Sequence, residues 1–120
     1  MSVILNETVS ADSYSVRIRP SKKRTIAGTL QSNKGGTGTL VASWQLQASD
    51  AINPEALAKD EIGWVNDPNS SFNSTITSST ATTEIFNFSN ANNRWYRIMV
   101  DVTSGAGPVR IEANNEDMPT

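Results

Sequence analysis

The stretch that decides the fold is Leu40-Val-Ala-Ser-Trp-Gln-Leu-Gln-Ala48, in which every second residue, from Leu40 through Trp44 to Ala48, is apolar. Polar Ser43, Gln45 and Gln47 lie between these positions. Successive side chains of a β-strand point to opposite faces, so this pattern predicts a strand with one buried face.

The same period of two recurs on both sides of this stretch. It places apolar residues in step at Tyr14, Val16 and Ile18, at Tyr96, Ile98, Val100 and Val102, and at Val109 and Ile111. Weaker candidates cover residues 3–5, 25–31 and 83–88. Seven or eight short strands at this spacing are typical of a sandwich or barrel.

Glycine-rich stretches between the candidate strands predict turns. Residues 33–38 read Asn-Lys-Gly-Gly-Thr-Gly and are followed by a strand pattern, whereas a phosphate-binding loop requires a following helix. Residues 103–108 read Thr-Ser-Gly-Ala-Gly-Pro and predict that the last two strands form a hairpin.

The middle of the chain lacks the strand pattern. Asn53-Pro-Glu55 resembles a helix start, so one short helix or an irregular excursion is predicted around residues 50–66. Residues 66–83 are mostly Asn, Ser and Thr, which leaves a surface loop and a solvated edge strand both open.

We therefore predict an all-β protein with a single domain spanning residues 1–120. Its fold is an antiparallel β-sandwich or jelly roll of about seven or eight strands, with strand 40–48 and a hairpin over 94–112 at the centre.

Composition removes most catalytic classes from consideration. The chain contains no Cys and no His, so it offers no thiolate nucleophile, no imidazole base and none of the common zinc sites. The acidic residues in 50–67 and 112–117 lack the spacing of a calcium loop and are read as solvated surface rather than as a catalytic pair. These features predict a protein that is not an enzyme and that has no cofactor and no metal.

Half of the ten Lys and Arg residues lie in one short segment, which contains Arg17, Arg19, Lys22, Lys23 and Arg24. A phosphate-binding patch is one interpretation, but no aromatic residue interleaves with the cluster as single-strand nucleic-acid binding requires. The favoured interpretation is a charged strand face and turn that blocks edge pairing. A third is contact with an acidic surface on a neighbouring subunit.

Three residues are candidate interface or ligand contacts: Trp64, Trp95 and Arg97. Trp64 falls in the irregular middle of the chain, where a tryptophan either closes one end of the sandwich or contacts a partner. Trp95 shares a strand face with Arg97 and Asp101, which predicts exposure or an interface.

Two stretches carry a resemblance to known proteins. Leu40-Val-Ala-Ser-Trp-Gln-Leu-Gln-Ala-Ser49 resembles a strand of phage and bacterial β-sandwich modules. The region from Arg94-Trp-Tyr-Arg97 to Val109-Arg-Ile-Glu112 is similar to the closing hairpin of such modules. These modules occur in phage tail, fibre and capsid-accessory proteins and in discoidin-like binding domains. The resemblance implies a virion structural protein rather than a secreted lectin, and it carries over no residue roles.

The expected function is a non-enzymatic structural component of a phage virion, on the capsid surface or tail, that acts by symmetric self-assembly and docking. Its partners would be other virion proteins and further copies of itself, with residues 1–10 and 114–120 as arms. No secretory signal or membrane span is recognisable, which favours synthesis in the host cytoplasm. The alternative is a glycan-binding attachment module that uses exposed aromatic residues, whereas nucleic acid and membrane are not expected partners.

Overall fold

The computed structural model describes residues 1–52, 63–67 and 82–117. Within them the chain forms eight β-strands in two antiparallel four-stranded sheets, and no helix. The strands are β1 (Ser2–Val9), β2 (Ser13–Tyr14), β3 (Ile26–Ser32), β4 (Leu40–Ser49), β5 (Val65–Asn66), β6 (Thr82–Phe88), β7 (Trp95–Gly105) and β8 (Gly107–Ala113). The predicted all-β sandwich is confirmed.

The strands are divided between two sheets. The first sheet has the order β1-β8-β3-β6, and the second has the order β2-β7-β4-β5. Strands β4 and β7 form the longest pairing, with Leu40 opposite Gly105 and Ser49 opposite Trp95. Strand β4, which contains the clearest period-two pattern, is therefore an inner strand of the second sheet.

The core lies between the two sheets and is built from the apolar positions of the period-two pattern. Along β4 these are Leu40, Ala42, Trp44, Leu46 and Ala48, each at most 3% exposed. Tyr96, Ile98 and Val100 lie beside them on β7, and Leu30, Phe86, Val109 and Ile111 contribute from the first sheet. Removal of this apolar surface from water is the main force that holds the sheets together.

The predicted strand over residues 14–18 forms only in part. Its ladder with β7 is limited to Ser13 and Tyr14, followed by an isolated bridge between Ile18 and Tyr96. Between these points the hydroxyl of Ser15 accepts a hydrogen bond from the backbone N–H of Ile98. The Ser15 hydroxyl therefore takes the place of a backbone carbonyl as the acceptor for the Ile98 N–H, and the ladder between β2 and β7 is interrupted at this point.

The predicted hairpin over 94–112 is wrong. Strand β7 belongs to the second sheet and β8 to the first, so the turn after Gly105 carries the chain from one sheet to the other. Gly105 has a positive φ of 77°, and a side chain on it would meet the backbone carbonyl of Thr39. Glycine at position 105 therefore allows the chain to cross from the second sheet to the first. A two-residue hairpin turn would instead have kept β7 and β8 paired in one sheet.

Two further expectations concern segments outside the regular strands. The predicted helix or excursion around 50–66 falls largely on residues 53–62, outside the described residues, and Val65–Asn66 is strand β5. The prediction that the two termini form arms is wrong for the described residues. Ser2–Val9 is an edge strand of the first sheet, and the side chains of Asn114 and Asn115 bond to the backbones of Ala27 and Arg19.

Candidate functional site

The outer face of the second sheet carries a layer of stacked arginine and aromatic side chains. Arg97 on β7 is 1% exposed and lies between the rings of Tyr14 and Trp64, with its Cζ atom 4.0 Å and 4.6 Å from their centroids. Its Nε donates to Gln47 Oε1 at 2.7 Å. Aromatic faces attract a guanidinium electrostatically, and the attraction strengthens when water is excluded.

A second stack lies beside the first. Trp95 is 4% exposed, and the Cζ atoms of Arg17 and Arg19 lie 4.0 Å and 5.0 Å from its ring centroid. Arg17 also donates from Nε to Asp117 Oδ2 at 3.0 Å. The basic segment and Trp95 are about 75 residues apart in the sequence, and the fold brings them together.

The three candidate contact residues are buried. Trp64 and Trp95 are 5% and 4% exposed, so the prediction of an exposed aromatic at either position is wrong. Trp64 instead contacts Arg97 on the outer face of the second sheet. Sequence reasoning missed the burial of Arg97. The available signal was that Arg97 shares its strand face with the aromatic Trp95.

An open groove of about 830 Å³ lies at the end of the sandwich where β7 begins. Four cationic residues line it: Arg19, Lys22, Arg24 and Arg94. Their side chains form no salt bridge with any carboxylate in residues 1–52, 63–67 or 82–117. Two carboxylates, Asp50 and Glu116, also line the groove, so the four cations leave it with an excess of positive charge in a chain of net charge −2.

Backbone hydrogen bonds join the segments that line the groove. The N–H of Ala91 donates to the carbonyl of Arg24 at 3.0 Å, and the N–H of Glu116 donates to the carbonyl of Arg19 at 3.1 Å. Arg24 itself has a φ of 59°, in the left-handed region that few non-glycine residues adopt. These contacts hold the basic turn against the neighbouring segments.

Asp50 fixes the opposite wall. Its Oδ1 accepts from the backbone N–H of Arg94 at 2.9 Å, and its Oδ2 accepts from Asn93 Nδ2 at 3.1 Å. Asn93 is held further by Tyr96, whose hydroxyl accepts from the Asn93 N–H and donates to Asn93 Oδ1. Burial raises the pKa of the Tyr96 phenol above its usual 10.0, so the hydroxyl stays protonated and retains its donor.

The structure divides the predicted basic patch. Arg19, Lys22 and Arg24 line the groove, and Arg94, which the sequence did not single out, joins them. Arg17 lies instead on Trp95 and pairs with Asp117, and Lys23 is exposed outside the groove lining. Arg94 was missed because its distance along the chain from residues 17–24 gives no sequence signal of proximity.

Two features are absent from the described ranges. No group of three or more Asp and Glu side chains there is arranged to hold a metal ion. No helix among the same residues has the length and apolar character to cross a membrane. In the comparisons with known proteins, no protein-family model matched the chain and no curated protein matched it significantly.

Proposed function

We propose that this chain is a non-enzymatic structural component of a phage virion, on the capsid surface or the tail, and that it acts by symmetric self-assembly and docking. The resemblance of residues 40–49 to a strand of phage β-sandwich modules supports the virion setting. The observation that carries self-assembly is the edge strand β6.

Strand β6 has the features of an edge that pairs with another strand. It lies at the edge of the first sheet and, among the described strands, pairs only with β3. It contains neither Lys nor Pro, the residues that commonly block edges, and its one charged residue, Glu84, is partly buried. Ile85, by contrast, is 84% exposed.

The position of Ile85 makes this edge self-complementary. It is the central residue of the seven in Thr82–Phe88. Antiparallel pairing of two β6 strands about a two-fold axis at this residue places the two Ile85 side chains opposite each other. The first sheets of two copies then become one continuous eight-stranded sheet, and the two Ile85 side chains contact each other on its outer face.

The alternative function, glycan binding through exposed aromatic residues, is not supported by the described residues. Stacking on a sugar ring requires an accessible aromatic face. The best candidates, Trp64 and Trp95, are buried beneath or beside arginine side chains.

The test is the solution mass of the unchanged chain and of Ile85→Lys, by light scattering after size-exclusion chromatography over a range of concentrations. We expect the unchanged chain to have twice the 13.0 kDa of one copy. Ile85→Lys should weaken association about 100-fold or more, because it removes the contact between the two isoleucines and places two like charges directly opposite each other.

Ile52→Lys is the matched control, since Ile52 is 86% exposed but does not belong to a strand. It should associate like the unchanged chain. A monomer at every concentration for the unchanged chain would rule out self-assembly, and equal effects of the two substitutions would rule out the β6 edge.

A further inference from the structure

We propose that the groove at the start of β7 binds a carboxylated oligosaccharide, of the uronic or sialic acid type. This inference goes beyond the proposed structural role, since it assigns a ligand to a surface that self-assembly through β6 does not use. It rests on the charge, the hydrogen-bonding groups and the rigidity of the groove.

The cationic side chains of the groove indicate that its ligand is an anion. Arg19, Arg24 and Arg94 present guanidinium groups, whose planar array of donors matches a carboxylate in two parallel hydrogen bonds. Lys22 adds a compact ammonium. None of these four side chains is neutralised by a salt bridge within the described part of the chain, so a bound carboxylate would gain a partner without displacing another.

The uncharged and acidic lining favours a ligand that also carries hydroxyl groups. Ser21, Asn92 and Asn93 provide amide and hydroxyl groups, and Asp50 and Glu116 provide carboxylates. A carboxylate has about four acceptor positions. Asp50 uses two of them, on Asn93 and on the Arg94 backbone, so it retains acceptors for hydroxyl donors.

The lining makes a nucleic acid a poorer fit. Among the described residues no aromatic side chain lines the groove, whereas proteins that bind single strands stack bases on aromatic rings. A sugar acid carries several hydroxyls beside each carboxylate, which agrees with the amide, hydroxyl and carboxylate groups of the lining.

The groove is also of suitable size and already organised. A volume of about 830 Å³ lies within the range of about 300–1,000 Å³ typical of small-ligand sites. Arg19 rests on the Trp95 ring, and Asp50 together with Tyr96 holds Asn93. Because these groups are held before a ligand arrives, little conformational entropy is lost on binding.

The test is calorimetric titration of the unchanged chain with tetragalacturonate at low salt, with neutral maltotetraose as the comparison sugar. We expect tetragalacturonate to bind and maltotetraose to bind at least tenfold more weakly. In an NMR titration the amide shifts should concentrate at residues 19–24 and 92–94, which locates the site without any substitution.

Substitutions then separate the contributions of charge and hydroxyl recognition. The double variant Lys22→Gln with Arg94→Gln should weaken tetragalacturonate binding at least tenfold, and Asn92→Ala should weaken it severalfold. Lys34→Gln removes one exposed cation on the 33–38 turn, outside the groove, and should leave binding unchanged. Thermal melting confirms that each variant is folded.

Three results would overturn the proposal. These are no binding of tetragalacturonate, equally tight binding of a tetraglutamate peptide, or tighter binding of a short DNA strand at the same site. The first leaves the structural role intact, since that role is tested by solution mass. The other two would assign the groove to an acidic protein segment or to nucleic acid.

Discussion

Replacing Trp44 with alanine is expected to lower the free energy of unfolding by about 3–5 kcal/mol. Trp44 is the largest fully buried side chain, lies in the middle of β4 and is paired with Val100 of β7. Truncation removes apolar contacts and leaves a cavity that the two rigid sheets cannot close. Urea denaturation followed by far-ultraviolet circular dichroism measures the loss.

Trp44→Phe separates the effect of side-chain volume on stability from the effect of the indole N–H. The Nε1 of Trp44 is buried without a hydrogen-bond partner among the described residues, so its removal costs no hydrogen bond there. We therefore expect Trp44→Phe to cost about 1–2 kcal/mol, less than the alanine substitution. If Trp44→Ala does not fold, Trp44→Leu gives the intermediate point. A cost below about 1 kcal/mol for Trp44→Leu would contradict the placement of this residue in the core.

Replacing Arg97 with alanine is the second large effect, about 3 kcal/mol of lost stability. The substitution removes a guanidinium held between Tyr14 and Trp64, and it deprives Gln47 Oε1 of its buried donor. Denaturation curves and near-ultraviolet circular dichroism should both report the change, the latter because two aromatic residues lose their common neighbour.

Arg97→Lys tests whether the shape of the guanidinium matters in addition to its charge. Lysine keeps the positive charge but lacks the planar group that stacks on two rings, so we expect a loss of about 1–2 kcal/mol. Arg110→Ala is the matched control. Arg110 is exposed and pairs with Glu112 at the surface, where such pairs contribute about 0–1 kcal/mol. Full stability of Arg97→Lys would contradict the stacked arrangement.

The strands could be predicted because each has a buried face, and burial on one face leaves a period of two in the sequence. The clearest pattern, through Trp44, became an inner strand, and the weaker pattern at 83–88 became the edge strand β6. The division into sheets could not be predicted, since alternation does not say which strands pair. The stretch 103–108 resembles a hairpin turn, although there the chain crosses between sheets.

The candidate site was less accessible to sequence reasoning than the fold was. Residues 19–24 could be found as a cluster because they are close in the chain. Their partners Asp50 and Arg94 could not, since contacts over such separations depend on the topology of the sandwich. The sequence predicts exposure or an interface at Trp95 because it shares a strand face with Arg97 and Asp101, whereas Arg17 covers Trp95 and the rings of Tyr14 and Trp64 cover Arg97.

The most direct test of self-assembly through β6 is disulfide formation by the variant Ile85→Cys. The natural sequence contains no cysteine, so this substitution introduces a single thiol. Residues directly opposite in an antiparallel pair have Cα atoms about 4.5–5.5 Å apart, within the range that a disulfide spans. We predict nearly complete formation of covalent dimer under mild oxidation at micromolar concentration. The same slow cross-linking as in Ile52→Cys would contradict the two-fold pairing of β6 strands.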